Sequence, residues 1–108
     1  MKYQNLTFRD KDEVEQILKS SDLELKREAL AGLVNNIDDF EWLQKTLLEN
    51  IFDDDFWIAK NAIMGLADLA RIHGKLDFQK VDKQLLLIDR DDLIPIINSM
   101  RDDLKIYL

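Results

Sequence analysis

Cysteine is absent from this chain, and histidine, proline and glycine are scarce. The 108 residues include one histidine, one proline and three glycines. The lack of cysteine excludes disulfide bonds, thiolate zinc sites, iron–sulfur clusters and a catalytic thiol. The single histidine, His73, cannot by itself form a catalytic triad or a typical zinc site. Glycine-rich phosphate loops and Gly-x-Ser-x-Gly elbows are also missing. We therefore expect a protein that is not an enzyme and that binds no cofactor or metal.

Long apolar runs and an excess of positive charge are also lacking. No run approaches the roughly 20 apolar residues that a membrane helix needs, and residues 1–5 do not resemble a signal peptide. Acidic side chains number 22 against 15 basic ones, which gives a net charge of −7. Because nucleic-acid binding requires a basic face, we expect a cytoplasmic protein with neither nucleic acid nor membrane as its partner. A basic protein suits this charge.

An internal repeat is the main feature that the sequence does contain. Residues 22–33 match residues 55–66 at a spacing of 33, with Asp, Ala, Gly and Leu at the same positions. After an insertion of five residues, 39–48 match 77–86 at a spacing of 38, and a partial third copy begins at Asp92, with Asn98, Ser99 and Met100 opposite residues 61–63. A glycine inside a helix costs about 1 kcal/mol relative to alanine. The shared glycines, Gly32 and Gly65, thus predict two places where another helix comes close.

Each repeat unit is predicted to contain two helices. Apolar residues recur at three- and four-residue steps, and Asp or Ser precedes each run as a helix cap. Gly74 is placed to end a helix, and Pro95 falls in a first turn. The sequence therefore predicts an all-α fold of antiparallel helix pairs stacked as a short α-solenoid. The six expected helices span about 10–20, 22–36, 40–52, 55–73, 78–89 and 92–105. They form one domain with a partial unit (10–20), two repeats (22–52 and 55–89) and a second partial unit (92–105).

These units resemble the HEAT-repeat family. The resemblance depends on a first helix led by Asp, with Ala29 and Ala62 and then Leu33 and Leu66 at matching positions, followed by a short turn and a leucine-rich second helix. It covers about residues 12–104. Solenoid surfaces of HEAT-like proteins bind other macromolecules, so the resemblance implies a binding role.

Two tryptophans are the candidate anchors for a partner. Trp57 stands at the repeat position of Glu24, and Trp42 at that of Lys80. A position that accepts a charge in one copy is expected to face solvent in the other. Trp57 would share its face with Asn61, and exposed Trp beside carboxylates is typical of interface hot spots. The alternative is that either Trp covers a junction between repeats.

Carboxylate clusters recur at the turns between units. In a solenoid such turns align along one edge, which predicts a negative ridge that would attract a basic protein. A simpler alternative is that these residues only cap helices and maintain solubility. With the tryptophans, the candidate partner-binding residues are Trp57, Trp42, Asp53, Asp54, Asp55, Asn61, Asp91 and Asp92.

Size, acidity and helical repeats together resemble small immunity proteins of contact-dependent and other polymorphic bacterial toxin systems, some of which are HEAT-like. That resemblance implies binding to a cognate toxin, commonly a basic nuclease domain, and neutralisation by covering its active site. The other interpretation is a helical-repeat adaptor, regulatory subunit or homodimeric scaffold. In isolation the chain would be a monomer or a homodimer.

Overall fold

The computed structural model describes residues 10–107, and the side chains of residues 10–106. Within that range the fold is all-α, with six helices and no strand, as the sequence predicts. Residues 1–5, which underlie the expectation about a signal peptide, lie outside it. The helices are α1 (Lys11–Lys19), α2 (Leu23–Asn36), α3 (Phe40–Asn50), α4 (Phe56–His73), α5 (Phe78–Leu85) and α6 (Ile94–Tyr107).

Aspartate caps define where the first five helices begin. The carboxylates of Asp10, Asp22, Asp39, Asp55 and Asp77 each accept a hydrogen bond from a backbone N–H in the first turn that follows. These bonds satisfy N–H groups that have no partner within the helix.

Helix ends are predicted less well than helix starts. Gly74 does end α4 in the left-handed conformation, with φ 67°. The expected helix over 78–89 ends at Leu85, however, and α6 begins at Ile94 rather than at 92. Residues 86–93 instead form turns, in which Ile88 N–H donates to the Leu85 carbonyl.

The helices form two layers. One layer contains α2, α4 and α6, with α4 packed between the other two. The other contains α1, α3 and α5, whose N-terminal ends are joined by hydrogen bonds from Lys11 to Asp39 (2.6 Å) and from the Asp77 N–H to Gln44 (2.8 Å). The Phe40 ring lies 5.6 Å from the ring of His73, which places the start of α3 beside the end of α4. The layers are therefore antiparallel, and the shortest dimension of 20 Å matches two helix diameters of about 10 Å.

Helix α3 packs mainly on α4 rather than on α2. Gly65 permits this contact, because a Cβ atom there would lie 2.7 Å from Leu47 Cδ2. The predicted close approach is thus confirmed at Gly65. At Gly32 no described helix makes the predicted approach, since among the described residues an added Cβ would meet only Asn36 of the same helix, at 3.3 Å.

The burial pattern of α6 fits two registers of the third repeat copy. Ile97, Met100 and Leu104 are buried, and at a spacing of 38 they correspond to buried Ala59, Ala62 and Leu66. At the predicted spacing of 37, Met100 and Leu104 still correspond to buried residues, and only Ile97 falls opposite half-buried Lys60. The register of the third copy therefore stays a prediction.

Candidate functional site

The N-terminal ends of α2, α4 and α6 meet along one edge of the molecule. Arg27 of α2 bonds to Asp55 at the start of α4. Arg90, just before α6, donates from Nη1 to the backbone carbonyl of Asp53 at 2.6 Å. Because α1, α3 and α5 directly precede α2, α4 and α6 in the chain, their C-terminal ends lie at the same edge. We call it the acidic edge, and its carboxylates are Asp22, Asp53, Asp54, Asp55, Asp91 and Asp92.

The carboxylate of Asp55 is occupied mainly by hydrogen bonds within the fold. Its Oδ1 caps α4 by accepting the Ile58 N–H at 3.0 Å and also accepts Arg27 Nε at 3.1 Å. The side chain is only 14% exposed. Hydrogen bonding from the Arg27 guanidinium is the main reason why the pKa of Asp55 falls from 3.8 to about 2. The Asp55 carboxylate therefore joins α2 to α4 and offers a partner little surface.

Asp53 and Asp92 also have internal partners. Asp53 accepts the Asp55 N–H at 2.8 Å, and Asp92 forms two hydrogen bonds with Arg90, at 3.2 and 3.1 Å. Asp54 and Asp91 are exposed and form no ion pair with any other residue whose side chain is described. The carboxylates of this edge that are exposed and have no ion pair with a described side chain are thus those of Asp22, Asp54 and Asp91.

Trp57 projects from the acidic edge, as predicted. It is 50% exposed, and Lys60 Nζ lies 4.8 Å from the centre of its ring. Phe56 contacts the ring edge-on with 5.2 Å between centroids. Asn61, predicted to share this face as a binding residue, instead donates its side-chain amide to the Arg27 carbonyl at 3.1 Å. Trp57 therefore presents an exposed aromatic ring at the start of α4, and the side chain of Asn61 helps to join that part of α4 to α2 rather than facing a partner.

The prediction that Trp42 is exposed is wrong. It is half-buried and packs against the core, and its Nε1 donates to Glu15 of α1 at 2.9 Å. The repeat comparison fails because α1 lies alongside α3 here, whereas no described helix lies in the same place beside Lys80 of α5. Trp42 lies on a different surface from Trp57, in a groove with Leu18 and Lys45.

Sequence reasoning missed most of the apolar surface on the acidic edge. Each of these side chains lies within two residues of the first or last residue of a helix, and so lies off the apolar stripe of that helix. Their position at a helix end is the sequence feature that could have indicated their exposure. The large apolar side chains exposed here are Leu23, Phe52, Trp57, Leu87 and Ile94, each between 43% and 66% exposed.

A groove between α4 and α6 continues this surface away from the edge. It encloses about 280 Å³ and has an apolar floor that includes Met64, Ile96 and Met100, with Asp68 and Asp103 at its rim. Met64 is 48% exposed. The groove could receive one or two apolar side chains of a partner, and its rim carboxylates suit a cation beside them.

Neither a metal cluster nor a spanning segment is found in the part of the chain that the structure describes. Its Asp, Glu and His side chains nowhere gather in threes as metal ligands. No helix there combines the length and the apolarity needed to cross a membrane. Comparison with protein-family models, with curated proteins and with solved structures finds no match to this chain.

Proposed function

We propose that this chain is a cytoplasmic, non-catalytic protein-binding module whose acidic edge binds a basic protein. One observation carries the proposal. Exposed apolar side chains, with Trp57 at their centre, alternate along one edge with the carboxylates of Asp54 and Asp91. An apolar and aromatic centre with charge around it is typical of protein interfaces.

The charges on this edge favour a basic partner. Arg27 and Arg90 neutralise Asp55 and Asp92, but Asp54 and Asp91 remain exposed in a chain of net charge −7. Such a field would steer a basic protein towards the edge and raise its association rate. The effect should weaken as salt screens the charges.

The shape of the surface favours a macromolecule over a small ligand. Small-molecule sites are concave and bury most of the ligand. Here the apolar side chains are spread along an edge formed by three helix starts. The adjoining groove between α4 and α6 holds about 280 Å³, which is less than the about 300–1,000 Å³ of small-molecule pockets. A protein surface could cover all of these features at once.

The class of partner that we propose is a bacterial toxin domain, and the chain would be its immunity protein. This step depends on the resemblance to small HEAT-like immunity proteins. Binding would be one to one, with Trp57 as the anchor, and neutralisation would follow from covering the toxin's active site. The Arg27–Asp55 pair and the hydrogen bond from Asn61 to the Arg27 carbonyl hold the start of α4, which carries Trp57, against α2. Little conformational freedom would therefore be lost on binding.

Affinity capture from lysate of the source organism tests this function. The bait is the wild-type chain, compared with Trp57→Ala and Asp54→Lys. Matched controls on the opposite edge are Ile72→Ala, where Ile72 is 43% exposed, and Asp38→Lys, where Asp38 is exposed. A single basic toxin domain captured by the wild type and the controls, and lost with both edge variants, would support the proposal.

Other outcomes would contradict parts of it. Capture of a housekeeping assembly through the same edge would replace immunity with the adaptor function. A partner that survives both edge variants would show that the acidic edge is not the binding surface.

A further inference from the structure

Two turns of the acidic edge each expose an apolar side chain close to an exposed carboxylate. The turn between α3 and α4, residues 51–55, exposes Phe52 and Asp54. The turn between α5 and α6, residues 86–93, exposes Leu87 and Asp91. Large exposed apolar side chains that lie together mark surfaces where proteins bind. The surface that a partner would meet is therefore divided between two segments that are distant in the chain.

Arg90 joins these two turns through its guanidinium group. Its Nη1 donates to the backbone carbonyl of Asp53 at 2.6 Å. Its Nε and Nη2 donate to the carboxylate of Asp92 at 3.2 and 3.1 Å. All three guanidinium nitrogens are thus used within the fold, and the side chain is only 29% exposed. Asp54 directly follows Asp53 in the chain. Asp91 lies between Arg90 and Asp92, so the bridge ends beside both exposed carboxylates.

The same series of hydrogen bonds continues from the turn between α3 and α4 to α2. Asp53 accepts the Asp55 N–H at 2.8 Å, and Arg27 of α2 donates from Nε to Asp55 at 3.1 Å. Arg27 thus links the first repeat unit to the second. Arg90 makes the corresponding link between the second unit and the segment that leads into α6.

The hydrogen bonds of Arg90 favour a role in position over a role in charge. A cation on this edge weakens the field that attracts a basic partner, so steering alone gives no reason for an arginine here. Neutralising Asp92 requires only a positive charge, which a lysine also supplies. Holding the carboxylate of Asp92 and the carbonyl of Asp53 at once requires several donors in one rigid plane, which only the guanidinium group offers.

We propose that Arg90 is a positioning residue for partner binding, because it holds the two turns of the acidic edge at one spacing. A surface with fixed spacing fits a folded basic protein, whose cations and apolar side chains are also fixed, better than it fits a flexible basic chain. The inference rests on the proposed function, since it adds a residue to the same binding edge and narrows the partner to a folded protein.

The variant Arg90→Lys tests this role, because it keeps the charge and loses the planar group. Nitroxide labels at Asp54→Cys and Asp91→Cys report the spacing of the two turns by electron paramagnetic resonance, and the chain has no other cysteine to label. We expect a narrow distribution of distances with Arg90 and a broader one with Arg90→Lys. The matched control is Arg71→Lys, at an exposed pair with Asp68 within α4, which should leave the distribution unchanged. Circular dichroism confirms that each variant is folded.

Binding of two unlike probes shows whether a partner uses this spacing. The probes are the basic protein that the wild-type chain captures and a nonalysine peptide, which is flexible. Arg90→Lys should weaken binding of the captured protein about two- to tenfold, as expected when one flexible side chain must be ordered on binding. It should leave the affinity for nonalysine unchanged, because the net charge is the same.

The outcomes separate this inference from the proposed function. Equal distance distributions for the wild type and Arg90→Lys would overturn the positioning role, and so would equal affinities for the captured protein. An equal loss of affinity for nonalysine would overturn it too, because a flexible chain does not depend on the spacing. If no basic protein is captured at all, the proposed function fails, and the distance distributions still decide whether Arg90 sets the spacing of the turns.

Discussion

The two repeat-related glycines should respond in opposite ways to alanine. Gly65→Ala adds a methyl group 2.7 Å from Leu47 Cδ2, and Leu47 is fully buried. Gly32→Ala adds the same group 3.3 Å from the side-chain nitrogen of Asn36. Asn36 is the last residue of α2 and is half-exposed, and its side-chain amide donates to the Gly32 carbonyl at 2.9 Å. A shift of this side chain by a few tenths of an ångström relieves the contact without involving the core. The sequence alone treats the two sites as equivalent.

The expected free energies follow from these surroundings. Replacing glycine by alanine inside a helix stabilises the folded state by about 1 kcal/mol. Forcing a methyl group into a packed core costs about 1–3 kcal/mol. Gly32→Ala should therefore raise the free energy of unfolding by about 0.5–1 kcal/mol. Gly65→Ala should lower it by about 0–2 kcal/mol, the net of crowding and helix propensity.

Thermal and urea unfolding of the two variants measure this difference. At about 4 °C or more of Tm per kcal/mol, a difference of about 0.5–3 kcal/mol corresponds to about 2 °C or more, with Gly32→Ala the more stable. A double-mutant cycle of Gly65→Ala with Leu47→Ala isolates the clash and should show a coupling of about 1 kcal/mol or more. Equal stabilisation by both glycine variants, or no coupling to Leu47, would refute the packing of α3 on α4.

Two further predictions concern Asp55 and the tryptophans. Asp55→Ala should lower the free energy of unfolding by about 1–2 kcal/mol, because it removes a helix cap as well as the Arg27 pair. Asp55→Asn should lower it less, because the asparagine side chain can still cap the helix. Urea unfolding measures both variants. Because the pKa of Asp55 is lowered from 3.8 to about 2, its ionised form stabilises the fold above pH 3.8, and that stabilisation is lost as the pH falls towards 2. Asp55→Asn should not show this loss of stability in acid. An acid unfolding transition that is the same in Asp55→Asn and the wild type would contradict the lowered pKa of Asp55. Acrylamide should quench Trp57 in the Trp42→Phe variant more strongly than it quenches Trp42 in the Trp57→Phe variant, and equal quenching would contradict the bond between Trp42 and Glu15.

Features governed by local chemistry are the ones that the sequence predicts well. Aspartate caps, the left-handed Gly74 and the apolar stripe of α4 depend on residues within one or two turns of each other. The all-α fold and the starts of most helices follow from them. The end of α5 is missed because the run from Leu85 to Ile88 continues the apolar pattern although the backbone turns after Leu85.

Features that depend on neighbouring helices are predicted less well. Trp42 is covered because α1 lies beside it, and Asn61 is occupied because α2 is within reach. The Arg27–Asp55 pair likewise joins residues 28 positions apart. The repeat alignment compares each residue with its counterpart, but it does not show which helix lies next to it. The acidic edge itself is predictable, since aligned turns place its carboxylates together, whereas the exposed charge on it depends on where the arginines reach.

Steering of a basic protein by the acidic edge can be measured through the association rate constant of the captured partner. Stopped flow at increasing ionic strength gives this constant for the wild type, Asp54→Lys and the control Asp38→Lys. We expect a rate constant that falls steeply with salt for the wild type and the control, and a smaller, less salt-dependent rate constant for Asp54→Lys. A rate constant that is insensitive to salt, or that is the same for all three proteins, would contradict this steering.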